Sequence, residues 1–217
     1  MRTFGFPEFL FILEAAKWTL ALSAIAFVGG AILGLIIALM RTSESAWARG
    51  VSTTFIQIFQ GTPLLLQLFL VFFGAPVLGL DINPWVAAGV ALILNSAAFL
   101  GEIWRGCIEA IPRGQWEAAQ ALNLKYAARM RDVVLPQALK IALAPTVGYV
   151  VQIIKGTSLA AIIGFVEVTR AGQIVNNATF QPLVVFSVVA AIYFAICWPL
   201  SLLAARMERK RARALAR

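Results

Sequence analysis

Within long apolar runs, a handful of side chains could do chemistry. Asn95, Ser96 and Glu102 interrupt one run, and Gln152, Lys155, Thr157 and Ser158 interrupt another. Amide and ionisable groups are costly to hold in hydrocarbon and therefore face a cavity or a partner. Asn95 and Glu102 are seven apart and share a helix face, with Ser96 beside the first; Gln152 and Lys155, three apart, share another. Amides, hydroxyls, one cation and one carboxylate can recognise a small, polar, charged solute. Glu102 has two readings: a partner for an ammonium group, or an ion pair with Arg105 at the end of its helix. Lys155 either meets an anion or snorkels to the interface or a structural partner. Gly156 allows a break after Lys155, and the hydroxyls of Thr157 and Ser158 would cap the restarted helix. The free N–H groups of such a break, at membrane depth, suit a carboxylate.

Bond-breaking chemistry is poorly supplied. The chain has no histidine, which removes the commonest general base and a common metal ligand. Cys107 and Cys197 stand far apart at the ends of apolar segments, with no metal-ligand spacing, and read as packing residues. A Gly-x-x-x-x-Gly-Lys-Ser/Thr loop is absent, so the chain cannot by itself hydrolyse a nucleotide. No catalytic residue, metal or cofactor is expected. With 61% hydrophobic and 13% charged residues, the chain belongs in a bilayer. Its net charge of +8 sits in loops flanking apolar runs, without the basic face and stacking aromatics that nucleic acid requires. Anionic membrane lipid is the expected partner for that charge.

The elements that must position these groups are membrane helices in a single domain, residues 1–217. Met1 to Trp18 reads as an amphipathic segment at the interface. Five spans follow, at about 19–40, 55–80, 85–104, 139–166 and 183–203. Gly29, Gly30 and Gly34 fall close to one face of the first and allow a second helix to approach. Arg41 to Gly50 is a short polar link. The second span is interrupted at Gln60-Gly61-Thr62-Pro63, where Thr62 suits an N-cap and Pro63 a first helical position. Asp81 to Pro84 reads as a turn, Val168 to Pro182 as an outside loop, Pro199 as a bend, and Arg206 to Arg217 as a basic tail along the membrane surface.

One long polar stretch, about 112–136, divides the third span from the fourth. Helical runs fit Gln115–Leu122 and Lys125–Val134. Asn123 between them suits a left-handed turn, and Leu135-Pro136 closes the second run. The small faces of Ala118, Ala119 and Ala121 beside Leu122 give the first helix a docking shape. Glu117-Ala118-Ala119, Asn123 four positions later, and Leu135-Pro136-Gln137 resemble the cytoplasmic coupling signature of bacterial ATP-binding cassette (ABC) importer permeases. Asn123 stands where that family usually has Gly. Gly61-Thr62-Pro63-Leu64-Leu65 with Gln67 is similar to the polar amino acid branch, which often has Arg where Gln60 stands. Lys155-Gly156-Thr157-Ser158-Leu159 resembles a motif of the same branch whose second position is usually Asp, and the missing acid argues against a purely basic substrate.

The resemblance implies an all-α integral membrane protein of the type I importer permease kind. It further implies ATPase coupling through Gly114, Glu117, Ala118, Ala119, Leu122, Asn123, Leu135 and Pro136. The implied partners are two cytoplasmic ATPase subunits that bind the ATP, a second permease subunit and an extracytoplasmic binding protein, with a polar amino acid or opine as cargo. A membrane-embedded enzyme acting on lipid is the alternative, and would need Glu102, Lys155 and Ser158 to converge; a passive channel is another. Cations give the orientation: fourteen Lys and Arg lie in the link after span one, the coupling region and the tail, against Arg2, Lys17 and Arg170 opposite. The positive-inside rule puts the N-terminus outside and the coupling region and C-terminus in the cytoplasm of a cell with this inner membrane.

Overall fold

The computed structural model describes the backbone of residues 3–215 and side chains through residue 210. Helix α1 spans Phe6–Arg41, α2 Ala46–Gly61, α3 Leu64–Val77 and α4 Pro84–Glu109. They are followed by α5 (Arg113–Ala121), α6 (Tyr126–Ala128), α7 (Leu135–Gly156), α8 (Val168–Thr179) and α9 (Pro182–Leu215). Among the described residues four helices are long and apolar enough to cross a membrane, or five if α2 and α3, bent by 101°, count as one broken span. This is the all-helical, five-span architecture expected from the sequence.

Helix α4 is the axis. The Asn83 side chain accepts from the Val86 N–H at 3.0 Å and Pro84 fills the first turn, so the chain enters this helix with its early donors accounted for. Small buried residues on α4, Ala87, Ala88, Ala91, Ala97, Ala98 and Gly101, let neighbours come close on several sides. Helix α1 does so through the expected glycines: a Cβ added at Gly30 would lie 2.5 Å from Ser96 Cβ, and one at Gly34 would lie 3.1 Å from the Ala97 carbonyl oxygen. Backbones meet along this seam because there is no side chain between them.

Several local expectations are corrected. Met1 to Trp18 is not a separate interfacial segment. From Phe6 it is the first part of α1, with Ile12 and Ala15 buried against Val168, Ala171 and Val175 of α8 and Val185, Val189 and Ile192 of α9. The link Val168 to Pro182, expected as a loop, is helical as α8 through Thr179, capped by Glu167, whose carboxylate accepts from the Thr169 and Arg170 N–H groups at 2.8 Å each. The link after α1 is shorter than predicted, since Ser45 caps a helix starting at Ala46. At the other end, α9 runs through Pro199 to Leu215 as one helix. Of the expected basic tail, the side chains of Arg211, Arg213 and Arg217, like Arg2 at the start, lie outside the described residues.

Neither Leu135-Pro136 nor Gly156 interrupts the fourth span. A π turn over Arg129–Val134 joins α6 to α7, and a 3₁₀ stretch over Thr157–Ile163 extends α7, giving one helical body from Tyr126 to Ile163. Pro136 cannot donate to the carbonyl four residues back, and its ring crowds that carbonyl. A π turn, bonded five residues apart, accommodates the missing donor without ending the helix. The Gln137 side chain adds a bond to the Val133 carbonyl at 2.8 Å. At Gly156 the backbone stays right-handed (φ −60°) and the helix only tightens; it stops at Gly164, where φ is +87°.

Candidate functional site

The broken second span forms one wall of a polar cavity. Pro63 has no N–H, so the Phe59 carbonyl, four residues earlier, loses its helical donor. Gln67, buried at 5% exposure, replaces it: its amide nitrogen lies 2.8 Å from the Phe59 carbonyl, 3.0 Å from the Thr62 carbonyl and 2.9 Å from Thr62 Oγ1. Thr62 closes α2 rather than capping α3, contrary to expectation, since its hydroxyl donates to the Ile58 carbonyl at 2.8 Å and its backbone is extended. Gln67 Oε1 in turn accepts from Asn95 Nδ2 at 3.1 Å, and Asn95 Oδ1 accepts from the Tyr149 hydroxyl at 3.5 Å. A chain of polar groups thus runs from the break in the second span through α4 to α7.

Beside this chain lies a cavity of about 310 Å³, lined by Thr62, Asn95, Ser96, Phe99, Tyr149 and Gln152 among others. Phe99 and Tyr149 stack at 5.5 Å between ring centroids and give it a flat aromatic side. The volume is at the small end of the range for ligand pockets, with a few polar groups converging on an otherwise apolar lining. Three predicted residues, Asn95, Ser96 and Gln152, are brought together here. Gln67 and Tyr149 complete the polar chain. Gln67 had been noted in the sequence only through the family resemblance; Tyr149 gave no signal beyond a hydroxyl within an apolar run.

The remaining predicted residues lie elsewhere. Glu102 is paired with Arg105, Oε2 to Nε at 2.9 Å, and Arg105 also pairs with Glu109. Lys155 is not among the cavity walls; its neighbours Val151 and Ile154 pack against Cys197 of α9, and Lys155 itself is exposed. Thr157 and Ser158 donate back to the Ile154 and Lys155 carbonyls at 2.7 Å each, so their hydroxyls cap no restarted helix. The expected half-helix terminus with free N–H groups is absent from this unbroken stretch.

The polar stretch builds the second feature. Asn123 takes the predicted left-handed conformation (φ +56°), and the chain turns there between α5 and α6. Ala119 and, partly, Trp116 hold α5 to the bundle, whereas Gly114, Glu117, Ala118, Leu122 and Asn123 are exposed. Leu122 is 75% exposed at the end of the helix, a large apolar group offered to the outside. On the supporting side, Ile108, Ile111, Met130 and Val134 form a small core. The Tyr126 hydroxyl donates to the Thr42 carbonyl at 2.9 Å and ties the segment to the end of α1. Leu135 is half-buried and Pro136 exposed at the base of α7.

A bundle of membrane helices packed on α4, with a broken span beside its polar cavity and an exposed helix-turn-helix inserted between two spans, has the form of a membrane permease subunit. Over residues 30–213 the sequence matches the family described as binding-protein-dependent transport system inner membrane component, and the chain belongs to that family. It is 36% identical over 190 residues to the probable amino-acid ABC transporter permease protein YckA of Bacillus subtilis (strain 168), covering 88% of this chain and 84% of that protein. To the glutamine transport system permease protein GlnP of Escherichia coli (strain K12) it is 36% identical over 206 residues, 94% of each chain. Among solved structures, the "Crystal structure of an amino acid ABC transporter with histidines" superposes with a TM-score of 0.87 at 33% identity, covering 96% of this chain and all of that one.

Proposed function

We propose that this permease subunit carries a polar amino acid, or a close relative such as an opine, across the inner membrane, driven by ATPase subunits that dock on α5. The observation that carries this reading is the exposed face of α5: Ala118 and Leu122 present small and apolar surface on a helix held to the bundle by its opposite side. Gly114, Glu117 and Asn123 complete that surface, and Ala119, Leu135 and Pro136 support it. The amino-acid names of the relatives support the cargo class. In this reading two permease subunits pair, a binding protein delivers the cargo from outside, and the end bearing α5 and the C-terminus faces the cytoplasm. Asn95, Ser96 and Gln152 contact the polar backbone or side chain of the cargo in the cavity, whereas Lys155, on the α9 side of α7, stays outside that contact set. Residues 1–217 act as one transmembrane domain. The subunit makes no covalent bond; it exposes the cavity to alternate sides as the ATPases close and open.

The lipid-enzyme alternative loses its geometry. Gly156 stands beside Leu92 of α4, where a Cβ would lie 3.6 Å from a Leu92 methyl. Glu102, ten residues farther along α4, is displaced by about 15 Å of helical rise. It therefore cannot meet Lys155 and Ser158. Docking is tested with Ala118→Asp, which places a charge where the partner's groove would desolvate it, at a cost on the order of a few kcal/mol. The variant should insert and accumulate normally but fail to retain ATPase on purification, and its uptake should fall with it. Full uptake by Ala118→Asp would dismiss α5 as the docking element.

A further inference from the structure

We infer that the groove enclosed by α1, α4 and α7 near the coupling segment binds one anionic phospholipid. Its volume is about 490 Å³, and its walls include Leu35, Trp104, Ile108, Leu135 and Leu139, with Arg131 at one end. The groove runs from Arg131 and Pro136 in the polar stretch to Ala142 within the apolar run of α7. It therefore crosses from a polar boundary into hydrocarbon, as an acyl chain with its head group does.

What covers it follows from the neighbouring surface and the charge. The groove opens onto Leu139 (63% exposed) and continues into the exposed apolar side of α1, where Ile32, Leu35 and Ile36 lie bare. That surface is the solvent face of a protein whose solvent is lipid. Residues 125–140 carry four cations, Lys125, Arg129, Arg131 and Lys140, and one acid, Asp132; the Arg129 side chain is 17% exposed and paired with Glu44 at 3.6 Å, so Arg131 is the cation that lines the groove's polar end. Asp132 holds Arg131 through two contacts of 2.7 and 3.1 Å, but the pair is at the surface, with 81% of the Arg131 side chain exposed. An exposed ion pair is easily exchanged. A phosphodiester takes the same fork of guanidinium donors in place of the carboxylate. Trp104 fixes the deep wall, its indole N–H donating to Thr146 Oγ1 at 2.9 Å while the ring borders the groove. The bound lipid touches Arg131 and Leu135 on either side of the junction between π turn and α7. It thus contacts the segment that connects α5 to the membrane.

Trp104 also supplies the test. In the full chain with the other five tryptophans replaced by Phe, reconstituted in vesicles, brominated phosphatidylglycerol should quench Trp104 with an apparent affinity about fivefold above brominated phosphatidylcholine, the size set by one cation near an anionic head group. Arg131→Gln should erase that preference, Asp132→Asn should enlarge it, and Leu139→Phe, which fills the groove, should reduce quenching by both lipids. Equal quenching by the two lipids would mean bulk lipid only. No quenching, with crosslinking between copies through position 139, would mean that a second chain covers the groove. Either result overturns the site. Should the single-tryptophan protein fail to fold, native mass spectrometry of the otherwise unchanged chain decides: retention of phosphatidylglycerol over phosphatidylcholine that disappears in Arg131→Gln supports the site, and equal retention overturns it.

Discussion

Gln67 shows how one side chain can stand in for a backbone group. Its amide serves the Phe59 carbonyl that Pro63 leaves without a donor, and its oxygen positions Asn95 at the cavity. Gln67→Leu removes these bonds from a buried place, where each unsatisfied group costs about 1–3 kcal/mol. The purified variant should melt several degrees lower and take up cargo poorly; unchanged melting and transport would show the network to be dispensable. Glu167 is the other residue whose surroundings set its behaviour. It is fully buried at the start of α8, and accepts from the Tyr193 hydroxyl at 2.6 Å besides two backbone N–H groups. Burial pushes its carboxyl above the ordinary range, while the hydroxyl and N–H donors pull the other way. A raised folded-state pKa means that folding favours the protonated acid. This contribution to stability is fully present below the unfolded value of about 4.3 and is lost as pH rises through the raised value. Thermal melting should therefore decline across that window in the wild type and decline less in Glu167→Gln. Identical pH profiles for the two proteins would mean that another group controls the dependence.

At the scale of elements, the α1 and α4 seam is the most sharply defined. Gly30→Leu must push Ser96 and its helix away, because even a Cβ meets Ser96 at 2.5 Å. The expected cost is about 1–3 kcal/mol, as for overpacking, and it should appear as reduced accumulation. Gly50→Ala, at a helix position with open space around it, is the control and should be neutral or stabilising. This seam was legible because glycines close to one face of a span have few other uses. The left-handed turn at Asn123 was legible for a similar reason. The continuity of the fourth span was not: Pro136 and Gly156 are local signals for stopping a helix, and a π turn at one and close packing at the other override them. Helix α8 was missed because Asn176 and Asn177 followed by Pro182 look like a loop, while Tyr193 and the start of α1, which hold it and its cap Glu167 in place, are remote in sequence. Within the cavity, Asn95, Ser96 and Gln152 were readable as polar residues in spans. Lys155 looked equivalent to Gln152, but at 100° per residue their shared face is broad enough for one to line the cavity and the other to lean toward α9.

For the whole molecule, the cation distribution predicts sidedness. Single cysteines at Asp81 and Asn177, both exposed at the end opposite α5, should react with an impermeant thiol reagent added to intact cells. One at Lys125 should react only after the membrane is opened. The native Cys107 and Cys197 are buried and can be replaced by serine for the experiment. Labelling of Lys125→Cys in sealed cells would invert the proposed orientation. The helical body from Tyr126 to Ile163 has a mechanical consequence. Its 38 residues amount to roughly 57 Å of rise. A tilt of about five degrees imposed at the α5 end, with that end as pivot, would move the far end by about 5 Å, one helical turn. Gly164, in its left-handed conformation immediately beyond that end, is where such a lever could hand its stroke to α8 without bending along its own length.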